Sequence, residues 1–270
     1  MKIGSIIRDM SKNFSFAKTP WFTETQLVAN VALVVTTMDQ AVKGICELAV
    51  SSSSGDHIHL VNAYSIALAD KSDAYRSTLV YPSINLPDGK PVSWASIILG
   101  QKPHLSLVRG PHVFRAVLDS GRSYGLRHYF LGSTPEVLLK LENELTRELP
   151  DLRIVGSHSP PFRPLSEKEL LRQDDEIRAS GADVVWVGLG TPKQDFEVKR
   201  LASSLPILAI AVGAAFEFAA GTKREAPEWV SEIGMEWAFR LLAEPRRLWR
   251  RYLLGNVRFL WSILKGRKQL

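Results

Sequence analysis

The sequence predicts an α/β fold: a Rossmann-like, mostly parallel sheet with flanking helices, followed by a basic amphipathic helical appendage. Three observations carry this expectation. Short apolar runs rich in β-branched residues, at 31–35, 58–61, 128–131, 153–156, 184–187 and 207–212, alternate with helical patterns, as in sheets covered by helices. With 270 residues and 45% hydrophobic content, the chain can bury one large core and still carry an appendage. Charge is also segregated. Residues 240–270 hold nine Lys and Arg against one acid, Glu244, more than the +6 of the whole chain, so the remainder is net acidic.

The run 31–35 reads as a first strand, and Thr36-Thr37-Met38-Asp39 after it lacks the G-x-G-x-x-G turn of a nicotinamide-dependent dehydrogenase. Cys46 sits in the helical pattern of Val42, Cys46, Leu48 and Ala49, which predicts a buried thiol and no disulfide. Residues 51–55 read as a loop. The strand at 58–61 ends on Asn62, either a site residue or the cap of a helix at 63–69. The apolar stretch 79–86 leads into Pro87-Asp88-Gly89, a frame that holds a carboxylate on a turn or is simply a turn.

In open parallel sheets, ligands bind beyond the carboxyl ends of the strands. Two such ends are rich in small residues: Gly132-Ser133-Thr134 after 128–131, and Gly188, Gly190, Thr191 and Pro192 after 184–187. Each precedes a helical pattern, where free amides and the helix dipole favour an anion; each is equally consistent with an ordinary turn. Pro135 opens the amphipathic segment 134–149, and Pro160, Pro161 and Pro164 mark a turn-rich stretch. His57, His59, His104 and His158 show no metal-ligand spacing with Cys or acids.

A hinge at 223–227 divides the chain into 1–223, the Rossmann-like body, and 224–270, the appendage. In the appendage Trp237, Leu241, Leu248, Trp249, Tyr252, Leu253, Leu260, Trp261 and Leu264 recur near helical spacing beside the cations. Such helices suit an anionic lipid surface; packing against a core or a second subunit is the competing reading, and the dense tryptophans disfavour nucleic acid. Pro245 reads as a first-turn residue and Gly255 as a stop, predicting broken helices. No uncharged run is long enough to span a bilayer, and the first residues lack a signal-peptide pattern, so the expectation is a cytoplasmic body touching the membrane from inside.

Five segments in order, INLPDGKPVSWA, FLGSTPEV, GSHSPPF, VGLGTPKQD and GMEWAFRLLAEPRRLWRRYLLGN, resemble the bacterial WecG/TagA/CpsF glycosyltransferases, glycosyltransferase family 26, over roughly residues 28–260. The resemblance implies an inverting, metal-independent transfer of a sugar from a UDP-sugar to a polyprenyl-diphosphate-linked glycan. The setting it implies is cell-surface polysaccharide assembly at the inner membrane face, without a cofactor. Asp88 falls on the family's P-D-G aspartate, the implied general base, and Asn62 and Gln194 fall on residues that hold sugar or diphosphate oxygens. Gly132, Ser133, Gly188, Gly190, Thr191 and Pro192 are the implied diphosphate turns.

The chain departs from the family's R-V-x-G-x-D-L pattern, with Leu107 for the Arg and His112 for the Asp. Arg109 is then either a replacement cation or a loop residue. Glu217 stands where the family has Asp, and an acid in so apolar a run needs a partner. These departures leave open a second reading, a non-catalytic UDP-binding scaffold subunit. The oligomeric state, monomer or homo-oligomer, is not legible.

Overall fold

The computed structural model describes residues 20–51 and 55–267. Its centre is a six-stranded, all-parallel sheet of β3 (Asp56–Val61), β4 (Ile84–Pro87), β5 (Arg127–Gly132), β6 (Arg153–His158), β7 (Val184–Gly188) and β8 (Leu208–Ala211). The spatial order is β4-β3-β8-β7-β5-β6. Strands β3, β4, β7 and β8 are buried along their whole length, as expected where helices cover both faces.

Alternation along the strands sorts two cores. Ile58, Phe130, Trp186 and Ile210 point to the face covered by α1 (Met38–Ser51), α5 (Gly110–Gly121), α6 (Pro135–Glu148) and α9 (Ala215–Ala219). Leu131, Val185, Val187 and Ala209 point to the opposite face, packed by α7 (Glu167–Ser180) and α8 (Lys193–Ser204). Cys46 of α1 is fully buried, and burial pushes its thiol up to about 11, so it is inert packing.

Five of the six expected strands lie in the parallel sheet. The run 31–35 does not: β2 (Val31–Val34) pairs antiparallel with β1 (Thr25–Val28) in a separate hairpin, Thr25 opposite Val34. Strand β4 was hidden inside the apolar stretch 79–86 because a polar residue interrupts it. Asn85 is buried mid-strand, its amide donating to Ala32 O at 3.0 Å and Leu79 O at 2.8 Å, which ties β4 to the hairpin.

The C-terminal segment is folded onto the body. After α10 (Glu228–Glu232) come α11 (Glu236–Ala243) and α12 (Pro245–Trp249), then a π-helical turn (Arg250–Leu254) leading into α13 (Gly255–Arg267). Pro245 does open a helix. Gly255, expected as a stop, is instead helical with φ −66°, and the π turn carries the helix through it. Phe259 and Ile263 of α13 join a third core with the hairpin, α2 (Ala63–Lys71) and α4 (Lys90–Ile98), and Leu248 and Tyr252 are buried as well. The buried seam therefore differs from the stripe read in the sequence. Trp249, Leu253, Leu260, Trp261 and Leu264 face outward, with Trp261 66% exposed.

Candidate active site

The carboxyl ends of β3, β4, β5, β7 and β8 open on one cleft of about 450 Å³. Asn62, Asp88, Ser133, Gly188, Gly190, Thr191, Gln194 and Glu217 all line it. Sites on five separate segments thus converge where the strand order reverses beside β3, the position at which such sheets bind ligands.

Asp88 follows β4 directly and its backbone N–H continues the sheet to Val61 O at 2.9 Å. Its carboxylate accepts a hydrogen bond of 3.3 Å from Gly110 N, the first residue of α5. Burial and the nearby Glu236 carboxylate push its pKa up to about 6, against the opposing pull of that amide, Arg109 and Arg240. A carboxylate poised there is a competent general base near neutral pH.

The glycine turns owe their shape to close backbone approach. Gly132 has φ +121°, and a Cβ there would stand 2.7 Å from the Gly188 carbonyl, so the ends of β5 and β7 meet backbone to backbone. Gly188 in turn lies against Phe216, where a Cβ would come within 2.7 Å of the ring. Ser133 N donates to Gly188 O at 3.2 Å, and Gly190 N donates to the side chain of Gln194 at 3.0 Å. Those two amides are spent within the protein. Among the described residues, the amides of Thr134 and Thr191 lack such partners and remain for an anion at the starts of α6 and α8.

Gln194 is 3% exposed, and its Oε1 accepts from both Gly190 N and Gly213 N at 3.0 Å, clamping the turns after β7 and β8 together. The next residue, Asp195, anchors the helix. It accepts from Tyr75 Oη at 3.0 Å and is bonded to His59 at 2.9 Å, whose other ring nitrogen meets His57 at 2.9 Å. Desolvation lowers His57 to about 3, so that ring stays neutral in a packing role.

Asn62 reconciles its two readings. Its Oδ1 caps α2 through Tyr64 N and Ser65 N, at 3.1 and 3.2 Å, while the residue lines the cleft and its NH2 has no protein partner among the described residues. Glu217 also lines the cleft, with Lys223 at 3.8 Å and one carboxylate oxygen buried without a hydrogen bond.

Arg109 is neither a loop cation nor a cleft wall. It caps α5, is 6% exposed, and places Nη1 at 2.9 Å from His112 Nε2 and Nη2 at 3.1 Å from a Glu236 oxygen. Arg109, two residues past the Leu107 departure, therefore contacts the other departure, His112. Leu107 lines a smaller cavity of about 80 Å³ that shares Asn62, Asp88, Glu236, Arg240 and Arg251 with the main cleft.

Sequence reasoning missed the far wall. Glu236, Arg240, Arg247 and Arg251 of the C-terminal segment line the cleft, with Lys193 and Lys223 beside them. Arg251 is stacked over Tyr64 at 4.8 Å, with its Nε buried and unpaired. The available signal was the spacing of Glu236 and Arg240, one helical turn apart, which places both on one face of a helix.

Two comparisons bear on this arrangement. The sequence pattern of the "Glycosyl transferase WecG/TagA/CpsF family" matches residues 26–270. A Bacillus spizizenii protein named N-acetylglucosaminyldiphosphoundecaprenol N-acetyl-beta-D-mannosaminyltransferase is 30% identical over 198 residues, covering 73% of this chain and 74% of that protein.

Proposed function

The chain belongs to the WecG/TagA/CpsF glycosyl transferase family, and from that premise we propose a hexosyl transfer from a UDP-sugar to a polyprenyl-diphosphate-linked glycan in cell-surface polysaccharide assembly. One observation carries the reading: a half-buried aspartate raised to about 6 faces a cleft walled by helix starts and arginines. In this reaction Asp88 takes the proton from the acceptor hydroxyl as that oxygen attacks the anomeric carbon. The UDP oxygen leaves from the opposite side, inverting the centre. The free amides at Thr134 and Thr191, with Lys193 and the arginine wall, absorb the charge of the departing diphosphate. Asn62 and Gln194 set positions, Asn62 through its free NH2 and Gln194 by holding two turns in register.

This chemistry draws on amides and guanidinium groups and is proposed to be metal-independent. The acceptor of the Bacillus spizizenii relative, as its name states, is an N-acetylglucosaminyl-diphosphoundecaprenol, and the same class of acceptor is proposed here. Among the described residues no helix is long and apolar enough to cross a membrane. A lipid-linked acceptor then has to be met at the surface, and the outward Trp249, Leu253, Trp261 and Leu264, interleaved with arginines, form a face suited to the cytoplasmic side of an anionic bilayer.

A panel of UDP-sugars offered with polyprenyl-diphosphate N-acetylglucosamine in vesicles tests all of this, with mass read on the lipid product. One donor should add a single hexose-class unit, EDTA should leave the rate within about twofold, and neutral vesicles or high salt should slow it. UDP binding without transfer to any acceptor would return the chain to the scaffold reading.

A further inference from the structure

Two of the cleft's carboxylates, Asp88 and Glu236, share a buried cation, Arg109, in an arrangement that the base mechanism does not by itself require. Arg109 is placed directly before Gly110, the residue whose amide bonds Asp88. Its guanidinium is almost wholly buried, with Nε and Nη2 lacking an aligned acceptor, so it is a strong bidder for any carboxylate within reach. Two carboxylates are within its field. One is Asp88, and the other is Glu236, delivered by the first turn of α11 and standing 3.1 Å from Nη2. An arginine that closed on Asp88 would occupy the oxygens meant for the acceptor hydroxyl and stabilise the charged, weakly basic form.

We propose that Glu236 is a positioning residue: it engages Arg109 from the C-terminal segment and so keeps the guanidinium off Asp88, leaving the base free. This inference rests on the transferase reading. The other charged groups around the pair are fixed by geometry. His112 holds the opposite end of Arg109 at 2.9 Å, Arg240 lies one turn along α11, Arg251 lines the same cleft, and Glu225 and Glu228 act on His112.

The test is a carboxyl ¹³C NMR titration of Asp88 in the full chain, paired with the pH profile of kcat/KM. In Glu236→Gln the Asp88 midpoint should move down from about 6 by about one pH unit or more, because a repelling charge is lost and Arg109 turns inward. The acid limb of kcat/KM should follow it, with kcat reduced tenfold or more. Glu236→Asp, which keeps the charge, should hold the midpoint near its starting value and guards against a simple folding defect. In the double variant Arg109→Met/Glu236→Gln the midpoint should return upward, since burial is then opposed only by the Gly110 amide and Arg240. An unchanged or raised midpoint in Glu236→Gln, or no recovery in the double variant, overturns the proposal. The NMR readout is independent of turnover, so a protein that transfers no sugar would defeat the function while still deciding this point.

Discussion

Replacing Asp88 by Asn is expected to lower turnover by roughly a hundredfold or more while leaving UDP affinity nearly unchanged, because general-base help is worth about that much. The amide is nearly isosteric and can still receive the Gly110 N–H, so the cleft keeps its shape. Only the proton acceptor is lost. The same substitution should stabilise the protein. Asp88 is raised in the folded state from 3.8 to about 6, so the native chain holds its proton more tightly than the unfolded one. Stability therefore falls as pH rises from about 4 through about 6, and above that the ionised carboxylate costs on the order of 2–3 kcal/mol. Asp88→Asn removes that cost. Thermal melts should place the variant above the wild type at pH 7.5 and level with it near pH 3.5, while transfer assays show the opposite order of fitness. Undiminished turnover would remove Asp88 from the reaction.

Gly132→Ala should be a severely damaging single methyl group at the site. At φ +121° an L-residue is strained whatever space surrounds it, and here the new Cβ would also stand 2.7 Å from the Gly188 carbonyl carbon and oxygen. Backbone cannot swing aside as a side chain can, so β5 and β7 must part at their carboxyl ends. A loss on the order of 2–5 kcal/mol in urea unfolding is expected. Gly190→Ala is the control. It shares a positive φ, +76°, but a Cβ there meets nothing within 4 Å, so only the modest strain of about 1 kcal/mol applies. Equal effects at the two positions would mean that the approach of the two strands does not shape this site.

Much of the body was legible because its signals are local. Short runs rich in apolar and β-branched residues gave β3 and β5–β8, of which β3, β7 and β8 are buried throughout while β6 is a partly exposed edge strand. Small residues after 128–131 and 184–187 marked the turns, since backbone that must approach backbone tolerates nothing larger. The hairpin escaped because 31–35 has the same composition whether it joins a parallel sheet or folds back on 25–28; pairing is a tertiary choice. Strand β4 escaped because Asn85 breaks the pattern and is paid for by two carbonyls, one of them 53 residues away.

The site was half legible for the same reason. Asp88, Asn62 and the glycine turns sit at strand ends, a position that can be read from the chain, whereas Gln194, in the first turn of α8, entered only through the family resemblance. Glu236, Arg240 and Arg251 belong to a segment whose composition speaks of a membrane surface, and only its packing against α2 and the hairpin brings those side chains to the cleft. Its two faces divide the work. Leu248, Tyr252, Phe259 and Ile263 hold it to the body, while Trp249 and Trp261 remain outside. His112 shows the limit of reading substitutions singly: it looks like the loss of an acid, but it holds the Arg109 guanidinium at 2.9 Å.

The central claim is that one cleft brings the departing diphosphate and the aspartate base together. A crystal structure of the full chain with UDP tests it most directly. The diphosphate should rest against the amides at Thr134 and Thr191 with the arginine wall opposite, and its terminal oxygen should leave room for one sugar ring before Asp88. UDP bound away from these turns, or with its diphosphate turned from Asp88, would contradict the account.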